Sequence, residues 1–281
     1  MMKIKEGLDL TKILNIQKYD PRPENVDPVK VNKHNAFVNY MLGYHLFRKV
    51  YRLVMPGKTK GNFPTFIPKT DETRLQNSPA LVRKNVGKEF YFTEKLDGSS
   101  ATFFYNNKLA GKKWGMFKKD LGDGFGVCSR NLRLVHKNSS YWWHIALNNQ
   151  MEENLKGMVS FLGFNLALQG EIIGPGIQEN KYKRDRLEFY CYSIFNINTQ
   201  KYVPYYDKIE ICNKFDIPTV PRVKIFTLTD EHDVPFFVEL SKRKSVLNKD
   251  VLAEGVVGRS VEDDAVSFKV INPEWLLKYK E

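Results

Sequence analysis

Residues 89–105 read EFYFTEKLDGSSATFFY: two runs rich in aromatic and β-branched side chains, parted by Leu96-Asp97-Gly98. Such runs favour strands, and an Asp-Gly pair between them favours a tight turn. This stretch commits the first third of the chain to strand structure, with Lys95 where strand meets strand. Asp97, two residues on, shares the face of Lys95 if the segment stays extended. Gly98 permits a backbone geometry or a close approach that a β-carbon would obstruct. Taken by itself, Lys95 is either a solvated strand-end cation or an amine held for reaction.

The same texture recurs downstream in LEFYCYSIF (187–195) and EGVVGRS (254–260), with KWGMFKK (113–119) between. Asn106-Asn107 and Gly122-Asp123-Gly124 supply turns. Residues 139–163, SSYWWHIALNNQMEENLKGMVSFLG, place apolar side chains near helical spacing, with Ser139 or Ser140 able to cap the start. Further helices are expected through 203–214 and after Thr229, where Asp230 and Glu231 precede PFFVELSKRKSVL. The sum is an α+β fold of antiparallel sheets with flanking helices. Residues 1–60 are expected to form an N-terminal extension or arm punctuated by Pro21, Pro23 and Pro28. Within it, 46–54 reads as a strand or a short helix. The block from Gly61 to Glu72 reads as a loop pinned by Phe63 and Phe66.

An excess of 44 Lys+Arg over 32 Asp+Glu, a net charge of +12, favours a polyanionic partner such as nucleic acid, nucleotide or anionic lipid. Cys128, Cys191 and Cys212 have no C-x-x-C spacing, which argues against a structural zinc site or a disulfide framework. Cys191, inside an apolar run, is expected to be buried. His34, His45, His136, His144 and His232 show no metal-ligand spacing. With no apolar window long enough to cross a bilayer, the chain is expected to be soluble and intracellular, with no membrane partner.

EKLDGSS resembles the Lys-x-Asp-Gly motif of covalent nucleotidyltransferases, the superfamily of polynucleotide ligases and mRNA capping enzymes. Four loosely specified positions recur by chance, so the weight lies in an ordered set. Ser129-Arg130-Asn131 is similar to the short Arg-bearing motif that follows the nucleophile. QGEIIGPGIQEN (169–180) resembles a signature of RNA ligases. LEFYCYSI (187–194) is similar to their aromatic strand, EGVV (254–257) to their second acidic motif and SFKV (267–270) to their terminal lysine strand. FPTFIPKTDETRLQN (63–77) resembles RNA ligases of the bacterial nick-sealing subfamily that carries an N-terminal OB-like domain.

The resemblance implies a nucleotidyltransferase domain over 61–281 and an ATP-dependent RNA ligase. Lys95 would attack the α-phosphate of ATP, giving lysyl-AMP. AMP would pass to a 5′-phosphate, and a 3′-OH would then displace it. Asp97, Glu254 and Lys269 would join Lys95 in catalysis. Glu94, Leu96, Gly98, Arg130, Glu171, Phe189 and Lys269 would meet the nucleotide, with the Phe189 ring on adenine and Tyr190 turned to the opposite face. Asp97, Glu171 and Glu254 would engage Mg²⁺ or Mn²⁺, the hard cations expected of carboxylates beside phosphate. Lys69, Arg74, Gln76 and Arg130 would contact the substrate strand, an RNA or RNA-containing nicked duplex. Nearby positive charge, from metal or lysine, would lower the Lys95 pKa and free its lone pair.

Two positions depart from the pattern: Ser267 where many relatives have lysine, and Ser193 where many have aspartate. Only about 60 residues precede the FPTFIPK block, so the relatives' full N-terminal domain is not expected, and a protein partner in its place is a further expectation. The rival readings are a capping-type guanylyltransferase, against which QGEIIGPG and FPTFIPK argue, and a non-catalytic RNA-binding protein on the same scaffold.

Overall fold

The computed structural model describes residues 59–109, 113–114, 119–120, 124–134 and 140–279, all within the compact unit Gly57–Glu281. The expected arm (but for residues 59 and 60), the reading of 46–54, the Gly122-Asp123 part of a turn, and His34, His45 and His136 lie outside the described residues.

In chain order the strands are β1 (Thr59–Asn62), β2 (Thr73–Arg74), β3 (Glu89–Lys95), β4 (Ser99–Tyr105), β5 (Lys113–Trp114), β6 (Lys119–Asp120) and β7 (Phe125–Ser129). They continue as β8 (Leu132–Leu134), β9 (Leu166–Ile173), β10 (Glu188–Asn196), β11 (Lys201–Tyr202), β12 (Arg222–Thr227), β13 (Gly255–Ser260) and β14 (Ser267–Ile271). The α-helices are α1 (Ala80–Arg83), α2 (Tyr141–Asn148), α3 (Met151–Leu162), α4 (Tyr205–Lys214), α5 (Val234–Ser241) and α6 (Pro273–Tyr279). One sheet runs β1-β8-β7-β4-β9-β10-β11, a second β12-β3-β13-β14-β2, and β5-β6 form a small ribbon. Pairing is antiparallel except between β14 and β2. The α+β expectation matches this architecture.

The two strands around Leu96-Asp97-Gly98 are not hairpin partners. β3 lies between β12 and β13 in one sheet, and β4 between β7 and β9 in the other. The connection therefore steps from sheet to sheet and leaves Lys95 facing the gap. Gly98 is required there for a packing reason. A β-carbon would sit 2.5 Å from the Ile172 carbonyl oxygen and 2.8 Å from Glu171 Cγ, so β9 itself excludes a side chain.

Both sheets are anchored by aromatic burial. Phe90 and Phe92 point from β3 into one core with Phe237 and Phe268; the Phe90 and Phe268 rings stack at 5.7 Å. Each such side chain contributes about 1.5–3 kcal/mol on leaving water. Beneath the larger sheet, Phe103, Leu168 and Cys191 pack with Ile145 of α2 and Leu155 and Met158 of α3.

Residues 140–163 hold two helices, where the apolar spacing over 139–163 predicts one. Gln150 adopts φ 48°, breaking the helix, and Met151, Leu155, Met158 and Val159 then form the buried stripe of α3. Ser140 does occupy the N-cap position of α2, without a side-chain cap bond. The later helices also start and stop by identifiable chemistry. α4 follows Pro204. Asp233 caps α5, accepting from Phe236 N–H at 2.9 Å. Residues 242–247, expected to continue that helix, leave it at Lys242.

Candidate active site

A cavity of about 370 Å³ is lined by both sheets around Lys95. The β3–β13 register aligns Lys95 with Gly255, so Glu254 enters at the head of β13 beside it. Lys95 Nζ lies 2.6 Å from Glu254 Oε2. Glu171 comes from β9, opposite Ser100 of β4 and Tyr190 of β10. Lys269 comes from β14, paired with Val257.

Charge in this space is uneven. Burial works to lower the Lys95 pKa, but Glu254, through both charge and hydrogen bond, with Glu171 and Glu72, outweighs it and holds the ammonium above its ordinary value. The expected lowering is therefore not a property of the protein alone. Burial first, against the opposing pull of Lys95, and repulsion from Glu254, Glu72 and Asp97 next, push the Glu171 carboxyl up to about 8. A carboxyl raised this far, by burial first and by its acidic neighbours second, favours the protonated form at neutral pH when no cation is bound. Glu72 escapes this: burial works to raise it, yet the Arg259 guanidinium at 2.6 Å, its own backbone N–H, Lys95 and Lys269 bring it below its ordinary value.

Among the described residues no three His, Cys, Asp or Glu side chains gather as a metal cage. Mg²⁺ is commonly held by one or two carboxylates together with substrate phosphates and water. Glu171 and Glu254 are hard oxygen donors in a pocket with surplus negative charge, and they fit such an ion. Asp97 also lines the cavity, but its carboxylate is paired with Lys181 Nζ at 2.8 Å, and its backbone N–H donates to the Tyr182 hydroxyl at 2.8 Å.

Glu94 and Leu96 flank the lysine and line the same cavity. Glu94 Oε2 accepts from Val246 N–H at 2.7 Å; Oε1, equally buried, has no hydrogen-bond partner among the described residues. Burial, against the opposing pull of the polar groups of Ser245 and Val246, raises its pKa. Elsewhere in the cavity lining, Arg130 Nη2 and Lys269 Nζ both meet Asp71 Oδ1, at 3.0 and 3.2 Å.

Phe189 requires correction. It is 1% exposed and belongs to the core under the larger sheet, edge-on to Phe103 at 5.1 Å and 80°. A β-carbon on Gly170 would fall 2.3 Å from its ring, so the ring covers β9 and not the cavity. Among the described residues, the aromatic ring that reaches the cavity is Tyr192. Its hydroxyl bonds Thr70 Oγ1 at 2.8 Å, and the Arg259 guanidinium lies 5.0 Å from its centroid. Tyr190, expected on the face opposite to the ligand, packs with the Tyr192 side of the strand.

The strand-contacting set divides. Arg130 lines the cavity. Lys69 is outside its lining and donates to Asn131 Oδ1 at 3.2 Å, next to Arg130. Arg74 and Gln76 bond each other at 3.3 Å, and Gln76 bonds the Ile271 carbonyl. They buttress the β2–β14 edge and are not among the cavity-lining residues. Sequence patterns missed Asp71, Glu72, Tyr192 and Arg259; Asp71 and Glu72 stand in the quoted FPTFIPKTDETRLQN block, which was their available signal.

A family model described as RNA ligase matches residues 88–271. Among solved structures, an apo mutant form of a Naegleria gruberi RNA ligase aligns with a TM-score of 0.68 and 35% identity, covering 80% of this chain and 61% of that one. A Naegleria gruberi RNA ligase mutant with ATP and Mn gives 0.70 at 31% identity, covering 98% of this chain and 68% of that chain. The same ligase with PPi gives 0.70 at 32%, with the same coverage. The chain thus spans roughly two thirds of the length of these proteins, and less in the first case. No curated protein matches it.

Proposed function

The chain belongs to the RNA ligase family, and from that premise we propose that it is an ATP-dependent RNA ligase acting through Lys95-AMP, with residues 61–281 as the nucleotidyltransferase domain. The observation that carries the reading is the Lys95 amine, 2.6 Å from Glu254, in a cavity that also holds Glu171, Arg130 and Lys269.

The lysine must lose a proton before it can attack, and Glu254 Oε2 is within reach to take it. The Nζ–Pα bond forms as the bond from Pα to the bridging oxygen breaks, and pyrophosphate leaves. A 5′-phosphate oxygen then attacks the same phosphorus, and the Nζ–Pα bond breaks as Nζ takes back a proton, which Glu254 is placed to return. A 3′-OH finally attacks the 5′-phosphorus and AMP departs. A divalent cation, when bound at Glu171 and Glu254, supplies positive charge that offsets both the carboxylates and the phosphoryl oxygens. Arg130 and Lys269 hold the phosphates by charge and directed N–H bonds. Adenine lies against Tyr192, with Leu96, Val220 and Val257 as apolar walls. The unpaired Glu94 Oε1 accepts from the exocyclic amine, a donor that guanine lacks at that position. This chemistry favours ATP over GTP.

The substrate class is RNA carrying a 5′-phosphate, alone or in a nicked duplex. The basic surplus makes strand affinity fall with salt. Incubation with α-labelled ATP and Mg²⁺ or Mn²⁺ should leave label on the denatured protein, absent in Lys95→Ala, and the labelled protein should seal RNA ends. Absence of label under both metals would overturn the reading in favour of a binding protein. Preferential labelling by GTP would overturn it in favour of capping chemistry.

A further inference from the structure

Behind Tyr192 lies a buried polar cluster that the lysyl-AMP chemistry does not use. Tyr91 of β3, Ser193 of β10, Lys208 of α4 and Asp264, between β13 and β14, are all 4% exposed or less. Asp264 Oδ2 accepts from Ser193 Oγ at 2.7 Å and from Lys208 Nζ at 3.0 Å. Its other oxygen accepts from the Tyr91 hydroxyl. Lys208 also donates to the Tyr192 carbonyl at 2.7 Å and lies 4.4 Å from the Tyr91 ring centroid. Four elements from both sheets and one helix therefore converge on a single ion pair.

A buried ion pair is a poor stabiliser beside a well-packed apolar core, so its presence calls for a geometric account. The account lies in β10. Its ladder with β9 shifts register between Cys191 and Ser193, leaving Tyr192 without a cross-strand partner in β9. A bulge of this kind bends the strand and re-aims a side chain. The Tyr192 carbonyl is held by Lys208, and the next residue, Ser193, is held by Asp264. The bulged tyrosine is thus pinned at its backbone by the pair, while its hydroxyl bonds Thr70 Oγ1 and the Arg259 guanidinium lies 5.0 Å from its ring centroid.

We propose that Asp264 and Lys208 are positioning residues for nucleotide binding: they clamp the β10 bulge so that the Tyr192 ring stands as a fixed wall of the cavity. Asp264 delivers from the β13–β14 turn the carboxylate that the strand lacks at Ser193. The clamp also ties the sheet bearing Lys95 to the sheet bearing Glu171, since Tyr91 belongs to the strand that ends at Lys95.

This inference rests on the adenylation reading, and wild-type labelling by ATP tests that reading separately. Given wild-type labelling, Asp264→Asn is expected to raise the ATP concentration for half-maximal labelling about tenfold while changing the saturated rate far less, the signature of lost binding. Ser193→Ala keeps the ion pair, and so the fold, and should shift the same concentration in the same direction by a smaller factor. It decides the matter if Asp264→Asn is too unstable to assay. Moving the carboxylate, Ser193→Asp with Asp264→Ser, should restore much of what Asp264→Ser alone loses. A folded Asp264→Asn or Ser193→Ala variant with wild-type ATP dependence would overturn the proposal. So would a loss confined to the saturated rate.

Discussion

Lys95 Nζ and Glu254 Oε2 stand 2.6 Å apart although 159 positions separate them in the chain, because the β3–β13 register sets Gly255 against Lys95. The contact has two opposed consequences. It keeps the amine protonated in the nucleotide-free protein, and it provides the group that can take the proton during attack. Glu254→Gln separates them. Losing the largest favourable charge partner lowers the Lys95 pKa, so modification of the resting protein by an amine-specific reagent should speed up by about tenfold for each pKa unit. Labelling by ATP should nevertheless fall, by about 10²–10⁴-fold if Glu254 acts as the base. Slower reagent modification would show that the carboxylate does not hold the proton on Lys95.

Glu171 predicts a pH dependence of stability. In the folded protein the carboxyl is pushed up to about 8, whereas an unfolded glutamate releases its proton near 4.5. Between those values the native state binds the extra proton. Stability therefore falls as pH rises through the window and levels off above it. Glu171→Gln removes this fall: its melting temperature should exceed that of the parent by about 10 °C above pH 8 and match it near pH 4.5. Mg²⁺ should stabilise the parent most at the alkaline end, where the carboxylate is ionised. Parallel melting curves for parent and variant across the window would contradict the assignment.

Phe189 and Tyr192 should divide stability from binding. Phe189→Ala opens the core beside Phe103 and should cost about 3–5 kcal/mol of stability; the milder Phe189→Leu should leave the ATP dependence of labelling unchanged. Tyr192→Ala should raise the half-saturating ATP concentration several-fold in a protein that still unfolds cooperatively. Equal ATP affinity for parent and Tyr192→Ala would return the stacking role to another group.

That pair marks where the sequence stops being legible. The order of motifs located Lys95, Glu171, Glu254, Lys269 and Arg130, five residues that the fold brings to one cavity. Strand alternation correctly put Phe189 and Tyr190 on opposite faces, yet could not say which face was wet. The answer lies in cross-strand pairing: Tyr190 is aligned with Glu171, so the face of Tyr190 and Tyr192 is the one that looks into the cavity. Register of this kind is set by contacts between distant segments and leaves no local trace. The same holds for Leu96-Asp97-Gly98, whose turn residues are compatible with a hairpin but bridge two sheets. It holds again for Asp264, whose partners Tyr91, Ser193 and Lys208 come from three other elements. Helix length was lost for a local reason, the left-handed Gln150, which carries no glycine to announce it.

The final prediction concerns Asp71, whose Oδ1 meets both Arg130 and Lys269. Those two cations are the ones proposed above to hold phosphate, and an exposed carboxylate now meets both. A triphosphate bound there would have to displace it. The contacts of Asp71 with both cations are largely in water, so each is worth at most about 1 kcal/mol and weakens with salt. Asp71→Asn should therefore lower the half-saturating ATP concentration about two- to fivefold at low ionic strength, since a factor of five corresponds to about 1 kcal/mol. The difference should shrink as salt is added. A rise in the ATP requirement would mean that Asp71 works on the side of the nucleotide, by orienting Arg130 and Lys269 or by meeting its metal, and not as a competitor for the same cations.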